Sequence, residues 1–419
     1  MKNSYKWWML ALLGGAYFFH QADRALFGVL VPYVQKDLAL TDVQLGHITT
    51  ALFLTIAVVT FFAGFLGDRF SRKRIITFSL IFWSLATMGT GFAGGYVSIL
   101  LLRSLATGGG ESFYGPSAMS LIAAYHEKTR SLAFSLHQAA LYIGLMSSGV
   151  LALWTLGWLG SWRAVFAAFG AAGLALGIAF IWLLREPTSS TLPIPSTSPS
   201  PSPLSSFKAY FTNSSALLAT TGFIAICCVN NTYLAWAPKL FHERFGVDGA
   251  TSGAHAMFYH HLIAFAAILV GGFVTDRFAG RYPRFRLGLQ IVALVLGAPA
   301  ILAIGLADSF AGAVAMTAAY GLMRGLFEVN THASVFDVIP AEHRAAVVGF
   351  MLLLAMGIGA VFSGELVGYL VSAFPKNGYR LVFAVSGLTY LVAAVCMAVS
   401  FRFTFRRDFG RKAHARTVE

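Results

Sequence analysis

"GFLGDRFSRKR", residues 64–74, closes a long apolar stretch with a glycine, an acid and a run of basic residues, and it decides the fold because it recurs. "GFVTDRFAGR", residues 272–281, follows another long apolar stretch in the second half of the chain. Both copies read G-x-x-x-D-R with basic residues behind them. A repeat at matching places predicts a chain built from two similar halves.

The apolar composition of the chain predicts an all-α membrane protein. Of the 419 residues, 57% are hydrophobic and 11% are charged, whereas soluble chains carry roughly 25% charged residues. A helix needs about 20 apolar residues to cross a bilayer. Twelve such stretches occur, six in each half: 7–34, 43–67, 75–94, 97–124, 130–157, 162–184, 214–241, 251–275, 287–307, 309–338, 344–372 and 380–404.

A segment rich in Pro and Ser separates the two sets of six spans. It has no apolar period and cannot bury itself, so we expect a flexible cytoplasmic linker. The expected division is an N-terminal six-helix bundle at 1–184, the linker at 185–208, a C-terminal six-helix bundle at 209–405 and a basic tail at 406–419.

Basic residues collect in the even-numbered turns, such as 68–74 and 276–286, and in the tail. Because basic loops stay on the cytoplasmic side, we expect both termini to be cytoplasmic in a multi-pass protein of the inner membrane. The net charge of +13 is then a topology signal and a contact with anionic lipid. A nucleic-acid partner is not expected, because no basic soluble domain is present.

Four charged residues lie inside predicted spans one and four. Asp23 and Arg24 are in span one, and Arg103 and Glu111 are in span four. A charge at mid-membrane costs about 2.5–3.5 kcal/mol, so it is functional, paired or cavity-facing. Adjacent residues do not form the usual ion pair on a helix face, so Asp23 and Arg24 are each expected to have another partner.

The four charges suggest a way to couple a proton to an anion. Protonation of Asp23 or Glu111 would release an arginine, and a released guanidinium of Arg24 or Arg103 can hold a carboxylate or phosphate with two hydrogen bonds. The alternative is a permanent structural network of ion pairs.

Other polar residues of the spans are candidate substrate contacts. Arg324 and Glu328 are spaced i, i+4 in span ten and can instead pair with each other. For the rest, packing or bridging between helices is the alternative. These further candidates are Tyr17, Tyr114, His137, Gln138, Asn230 and Asn231.

The two G-x-x-x-D-R loops are candidate latches on the cytoplasmic side. An Asp at a helix C-terminus opposes the local dipole and seeks a basic partner or a helix N-terminus. The alternative is that the basic residues only anchor the loops. The expected latch residues are Asp68, Arg69, Arg72, Asp276 and Arg277.

The whole chain resembles the major facilitator superfamily, whose hallmark is the duplicated G-x-x-x-D-R loop. "GESFYGPSAMSLIA" at 110–123, "LREP" at 184–187 and "AWAP" at 235–238 are similar to its Spinster-like branch. The Asp-Arg pair of span one and the Arg…Glu pair of span four resemble the related anion:cation symporters. The resemblance implies two six-helix bundles around a central cavity that spans one and four line, so Arg103 and Glu111 are the expected partners of Asp23 and Arg24.

Two departures from these branches stand out. Both branches usually place the arginine of span four seven residues before the glutamate, whereas Arg103 precedes Glu111 by eight. Either a bulge in "TGGGE", residues 107–111, absorbs the extra residue, or Arg103 is not the equivalent arginine. The Gly-Pro antiporter signature of span five is also absent.

The residues and the resemblance together predict a proton-coupled secondary transporter of a small organic anion that works by alternating access. The alternative within the superfamily is a Spinster-like transporter of an amphipathic lysolipid or sphingoid substrate. A membrane enzyme would need a motif such as H-E-x-x-H or G-x-S-x-G, and a ligand sensor would need an output domain; the sequence has neither. We expect a monomer without metal or cofactor, whose partners are the substrate, protons and the bilayer.

Overall fold

A computed structural model describes residues 2–67, 71–126, 129–186 and 202–410, and these form helices joined by short turns. The helices of the first half are α1 Lys2–Leu38, α2 Asp42–Gly67, α3 Arg72–Thr90, α4 Tyr96–Ile99, α5 Gly108–Ser112, α6 Tyr114–Tyr125, α7 Arg130–Leu159 and α8 Trp162–Leu183. Those of the second half are α9 Pro203–Phe211, α10 Ser214–Phe245, α11 Gly249–Ala279, α12 Phe285–Leu306, α13 Phe310–Glu328, α14 Thr331–Phe336, α15 Arg344–Val361, α16 Val367–Ala373 and α17 Gly378–Val399.

Some predicted spans are interrupted by tighter or wider helical turns. Three segments are π-helical, namely Leu100–Thr107, Phe362–Leu366 and Ser400–Thr404, and Ala341–His343 is a 3₁₀ turn. The fourth predicted span is therefore α4, a π segment, α5 and α6. The eleventh is α15, a π segment and α16.

Nine helices within the described residues are long and apolar enough to cross a membrane. The helices outside this set include α1, which carries Asp23 and Arg24 in its apolar run, and α3, which begins with three basic residues. The fourth predicted span is also outside it, because short helices replace one long helix. Asp23 and Arg24, which lower the hydropathy of α1, are also residues of the candidate site described below.

A helix begins inside the predicted linker segment. Residues 187–201 lie outside the described part of the chain, but α9 begins at Pro203, inside the predicted 185–208 segment. The reason is local, because the Ser202 side chain accepts a hydrogen bond from the Ser205 N–H at 3.1 Å and proline occupies the first helical position.

The chain divides into two compact units. Among the described residues, the first unit comprises those within Met1–Thr197, Thr232–Phe258 and Ala360–Tyr369. The second comprises those within Ser198–Asn231, Tyr259–Gly359 and Leu370–Glu419. Each of α10 and α11 contributes residues to both units.

Small residues bring helices of the first unit close together. Gly170, Gly173 and Gly177 line one side of α8, and a Cβ on Gly173 or Gly177 would collide with Ser84 or Ile81 of α3. Membrane helices that lack a hydrophobic driving force associate through such small-residue contacts. This close packing fixes α3 beside α8 and so holds Thr87 of α3 in its place against α1.

Small residues also bring α12 and α17 of the second unit close together. A Cβ on Gly297 would lie 3.1 Å from the Tyr390 ring, and one on Gly387 would lie 3.0 Å from the carbonyl oxygen of Ala298. These two contacts allow α17 to pack closely against α12.

Candidate functional site

Asp23 of α1 is held by three donors inside the first unit. Arg103 Nη1 donates to Asp23 Oδ1 at 3.0 Å, Arg103 Nη2 donates to the Asp23 carbonyl oxygen, and the Thr87 hydroxyl donates to Oδ2. The Arg103 guanidinium also lies 5.9 Å from the rings of Phe27 and Phe166. The side chains of Asp23 and Arg103 are 5% and 0% exposed. This ion pair is therefore almost inaccessible to solvent.

Arg24, the next residue of α1, pairs with Glu111 of α5. Its Nη2 and Nε donate to Glu111 Oε2 at 2.9 and 3.2 Å. The other carboxylate oxygen, Oε1, is buried and has no hydrogen-bond partner among the described residues. His20 Nε2 donates to the Glu111 carbonyl at 3.3 Å, while His20 Nδ1 accepts from Gln21 at 3.0 Å, which makes the ring neutral.

The π-helical segment Leu100–Thr107 accounts for the unusual spacing between Arg103 and Glu111. Thr107 Oγ1 donates to the Leu102 carbonyl, five residues earlier, at 2.9 Å. An α-helix turns about 100° per residue, so a spacing of eight places side chains about 80° apart and one of seven about 20° apart. The wider π turn takes up the extra residue. The bulge lies over Leu100–Thr107 rather than within "TGGGE".

An aromatic cluster lies beside this network. The Tyr114 hydroxyl donates to the Leu13 carbonyl at 2.6 Å and so accepts from His137 Nε2 at 3.0 Å. The His137 ring stacks on Tyr17 with centroids 4.4 Å apart. With its hydrogen on Nε2, the neutral ring presents Nδ1 as an acceptor, and Nδ1 is buried without a hydrogen-bond partner in the described ranges. Gln138 is half-buried next to it on α7.

The second unit has a smaller charged site. Arg324 Nη2 lies 3.2 Å from Glu328 Oε2, one turn later on α13. Arg324 Nη1 donates to His260 Nε2 at 3.1 Å, because His260 Nδ1 carries its hydrogen toward the Thr317 carbonyl at 3.2 Å. The Tyr320 ring stacks on His260 with centroids 4.7 Å apart. This histidine is thus neutral and fixed.

Asn230 and Asn231 of α10 also belong to the second unit. Asn231 is 2% exposed, and its Nδ2 has no hydrogen-bond partner within the described residues. Asn230 Oδ1 is likewise buried and unpartnered there. Buried polar atoms of this kind are usually satisfied in native proteins, so both amides keep a hydrogen-bonding group that the described residues do not use.

The two predicted latch loops differ in what the structure describes. Asp68 and Arg69 lie outside the described residues. Arg72 begins α3, whereas Asp276 and Arg277 are exposed near the end of α11. No contact within the described residues joins Asp276 to a basic side chain.

A glutamate that the sequence analysis did not single out caps the helix after the first loop. Glu186 Oε2 accepts from the Ser71 hydroxyl at 2.6 Å and from the Lys73 N–H at 3.1 Å, and Oε1 accepts from the Arg72 N–H at 3.2 Å. The only signal in the sequence was its place in "LREP". A carboxylate at a helix N-terminus is stabilised by the unpaired N–H groups and the dipole.

A buried lysine of α10 was also missed. Lys239 is 1% exposed, belongs to the first unit, and donates to Asp42 at the start of α2. Glu243, one turn later, lies 3.4 Å from the ammonium. In the sequence, Lys239 falls at the end of a predicted span and looks like an interfacial anchor.

Comparison with known proteins gives the family. A profile of the Major Facilitator Superfamily matches residues 13–364. The chain belongs to this superfamily. It is therefore a multi-pass membrane transporter, and the expected membership of the superfamily is confirmed.

Individual relatives fall on both of the expected branches. The chain is 24% identical over 387 residues to a hexuronate transporter of Bacillus subtilis, covering 86% of this chain and 89% of that protein. It is 27% identical over 234 residues to human protein spinster homolog 1, covering 55% of this chain and 44% of that protein. A solved bacterial homologue of the human lysosomal transporter Spinster, inward-facing and occupied, aligns with a TM-score of 0.83 at 21% identity, over 96% of this chain and 98% of that chain. That likeness confirms the all-α major facilitator fold, with which the twelve predicted spans agree.

Proposed function

We propose that this chain is a proton-coupled secondary transporter of a small organic anion that works by alternating access. The observation that carries the proposal is the pair of buried ion pairs Asp23–Arg103 and Arg24–Glu111, which join α1 to the interrupted fourth span. Two acids and two arginines leave no surplus charge in the resting site. An anion can therefore bind favourably only when one acid becomes neutral.

Protonation and anion binding both act on the ion pairs between these acids and arginines. A proton from solvent binds a carboxylate oxygen of Glu111 or Asp23, and the partner arginine loses its counter-ion. The substrate carboxylate then takes the guanidinium in two charge-assisted hydrogen bonds. Glu111 Oε1 is suited to the proton because it accepts no hydrogen bond from the described residues. Arg24 is suited to the anion because its side chain is 15% exposed and that of Arg103 is 0% exposed.

A hydroxylated carboxylate fits the first unit better than a purely apolar acid. The buried acceptor His137 Nδ1 can take a hydrogen bond from a substrate hydroxyl. Tyr17 offers a ring face beside it, and Tyr114 and Gln138 complete the proposed contacts there. The hexuronate transporter of Bacillus subtilis supports a sugar acid as the substrate class. In the second unit, Asn230, Asn231, Arg324 and Glu328 stay proposed substrate contacts.

A second candidate is transport of an amphipathic lysolipid or sphingoid phosphate. The similarity to human spinster homolog 1 favours it. A thermal-shift screen of the purified chain with glucuronate and with lysophospholipids, at two pH values, separates the candidates. Stabilisation by glucuronate at the lower pH supports the first, and stabilisation by lysolipids alone supports the second.

The finer features of the topology belong to the same proposal. Both termini and the 185–208 linker lie in the cytoplasm, the protein is a monomer of the inner membrane, and the bundles are 1–184 and 209–405. The basic loops support this orientation. Asp68, Arg69, Arg72, Asp276 and Arg277 act as latch residues. An alkaline-phosphatase fusion that is active at the linker would overturn the topology.

The coupling is tested with Asp23→Asn, which mimics the protonated acid. In proteoliposomes the variant should still exchange labelled substrate by counterflow but should fail to accumulate it in a proton gradient. Glu111→Gln should behave in the same way if the two acids share the proton. The control is Asp37→Asn, an exposed acid of α1 that pairs with Arg163 and should keep both activities. Equal loss of counterflow and uptake in folded Asp23→Asn would contradict the coupling role.

A further inference from the structure

The second unit carries a cavity of about 750 Å³ at the start of α12, next to the residues that follow α17. Its wall is aromatic and contains Phe285, Phe401, Phe405 and Phe409. The last three recur every fourth residue, and the rings of Phe405 and Phe409 stack with centroids 5.6 Å apart. The wall is thus a continuous apolar surface on one side of the segment.

Two arginines line this apolar cavity, and Arg402 lies near them with its guanidinium 5.7 Å from the Phe403 ring. Arg284 and Arg406 line the cavity, and the Arg284 guanidinium lies over the Phe401 ring, 5.2 Å from its centroid. Burial, and then the positive charges of Arg406 and Arg402, lower the pKa of Arg284 below its ordinary value. Arg402 and Arg406 are spaced i, i+4, where like charges destabilise a helix. The cluster therefore favours an anion.

The chain's own acids near this cluster serve other arginines. Asp337 receives Arg286 at 2.8 Å, and Asp408 receives Arg407 at 2.8 Å. Over the ranges that the structure describes, no acidic side chain pairs with Arg284, Arg402 or Arg406. The positive charge of the cluster is thus not neutralised by a described residue.

The first half of the chain shows which group belongs at such a helix start. The helices α3 and α12 both follow a G-x-x-x-D-R loop, and in the first half Glu186, just after α8, caps α3. The N-cap position of α12 is Arg284, whose side chain makes no capping hydrogen bond. The segment after α17 brings arginines and phenylalanines to α12 instead of a carboxylate. A helix start of this kind favours an anion.

An apolar stripe leads from the cavity along α12. Gly288 and Val292 line the cavity, and Leu296 follows one turn later on the same face. Val292 and Leu296 are each 52% exposed. In a membrane these side chains face acyl chains. The surface thus combines a basic end with an apolar track, which suits an amphipathic anion.

We propose that this surface, formed by residues 282–292 and 401–410, binds an anionic phospholipid. The phosphate lies among Arg284, Arg402 and Arg406, and an acyl chain runs along Val292 and Leu296. The site is separate from the Asp23–Arg103 network, which belongs to the first unit. The lipid is a bound partner of the fold rather than the transported substrate.

The test measures lipid binding to the purified full-length chain in detergent by native mass spectrometry. Short-chain phosphatidylglycerol should bind at least tenfold more tightly than phosphatidylcholine of equal chain length, and inorganic phosphate should not compete at equal concentration. Each arginine contributes about fivefold near a charged lipid, so Arg284→Gln with Arg406→Gln should weaken phosphatidylglycerol about 25-fold. Arg380→Gln is the matched control, because Arg380 is exposed at the other end of α17.

A second variant tests the apolar part without changing the charge. A Cβ on Gly288 would lie 3.5 Å from Phe401, so the side chain of Gly288→Leu fills the cavity. It should also weaken phosphatidylglycerol, while a thermal melt without lipid stays at the wild-type temperature. Equal binding of the two lipids, competition by inorganic phosphate, or wild-type binding by the double arginine variant would each overturn the proposal.

Discussion

The candidate functional sites of the two units pair their charged side chains in different ways. In the first unit both ion pairs join separate elements, since Asp23 and Arg24 of α1 hold Arg103 and Glu111 of the fourth span. In the second unit Arg324 pairs with Glu328 of its own helix. A proton on an acid of the first unit therefore breaks a link between two segments, whereas a proton on Glu328 changes one helix only.

Burial follows the same division. The Glu111 side chain is 0% exposed, whereas that of Glu328 is 28% exposed. An acid in contact with water tolerates the loss of its partner, whereas an acid without access to solvent does not. A change of charge at the first site should therefore affect the conformation more than the same change at the second site. The sequence alone does not show this difference, because each site appears there as an arginine and a glutamate in an apolar helix.

The largest expected effect is on stability, from Arg103→Gln. The substitution leaves Asp23 buried without its counter-ion, and breaking a buried pair in this way costs about 3–5 kcal/mol. Arg324→Gln should cost only about 1 kcal/mol, because water can reach Glu328. Thermal unfolding in detergent, followed by tryptophan fluorescence, measures both.

The double variant Arg103→Gln with Asp23→Asn sharpens this contrast. It removes both charges and should recover most of the lost stability, since no unpaired ion remains in the apolar site. Equal losses for Arg103→Gln and Arg324→Gln would break the comparison between the two sites.

The next effect is on substrate affinity, from Arg24→Ala. Loss of one charge-assisted contact costs about 1.5–3 kcal/mol, or about tenfold to a hundredfold in affinity. Arg24→Lys should recover part of it, because an ammonium lacks the planar fork. Arg324→Ala should weaken binding less, since His260 and Glu328 already use its guanidinium. Calorimetric titration with glucuronate gives the affinities.

A control separates lost binding from a damaged site. Arg24→Ala leaves Glu111 without its cation, and Glu111→Gln in the same chain removes that charge. The double variant should unfold near the wild-type temperature and still bind weakly. Recovery of affinity in the double variant would mean that Arg24 only neutralises Glu111.

The sequence predicted the membrane fold and the partners of the buried charges for a common physical reason. A charge in an apolar helix must find an opposite charge, and the family resemblance, which places spans one and four around one cavity, indicated Arg103 and Glu111 as partners of Asp23 and Arg24. The same reasoning identifies no partner for Glu365, a further acid in the predicted span 344–372. The structure places Glu365 Oε2 3.4 Å from His47 Nε2, and both side chains are 43% exposed.

The rest depended on backbone geometry and distant contacts. The eight-residue spacing signalled an irregular turn before Glu111, but which residues widen into a π turn depends on hydrogen bonds such as that from Thr107. Glu186 caps α3 across 115 residues, and Lys239 meets Asp42 across 197. No local pattern indicates which helix start or which acid such a residue will reach.

A smaller effect is expected from His137→Phe. Phenylalanine keeps the ring that stacks on Tyr17 but removes the Nδ1 acceptor, together with the Nε2 donor to the Tyr114 hydroxyl. One neutral hydrogen bond contributes about 1 kcal/mol, so glucuronate should bind about fivefold more weakly. A carboxylate without hydroxyl groups, such as cyclohexanecarboxylate, should bind variant and wild type alike. His260→Phe makes the same substitution in the second unit, where both ring nitrogens of the histidine already form hydrogen bonds, one with Thr317 and one with Arg324. If His137→Phe weakens both ligands equally, the histidine only supports packing.

The smallest effect compares the starts of α3 and α12. Glu186→Gln removes the charge that caps α3 and should lower stability by about 0.5–1 kcal/mol, because the side chain is exposed and solvent screens the helix dipole. Hydrogen exchange should rise at the first amides of α3 and stay unchanged at α12, which has no side-chain cap of this kind. Glu342→Gln, an exposed glutamate outside α3, is the matched control. Added phosphatidylglycerol should slow exchange at the start of α12 and leave α3 unaffected, because α12 is the one of these two helices that begins at the arginine cluster. Equal protection of both helix starts by that lipid would mean that the two halves respond to the membrane in the same way.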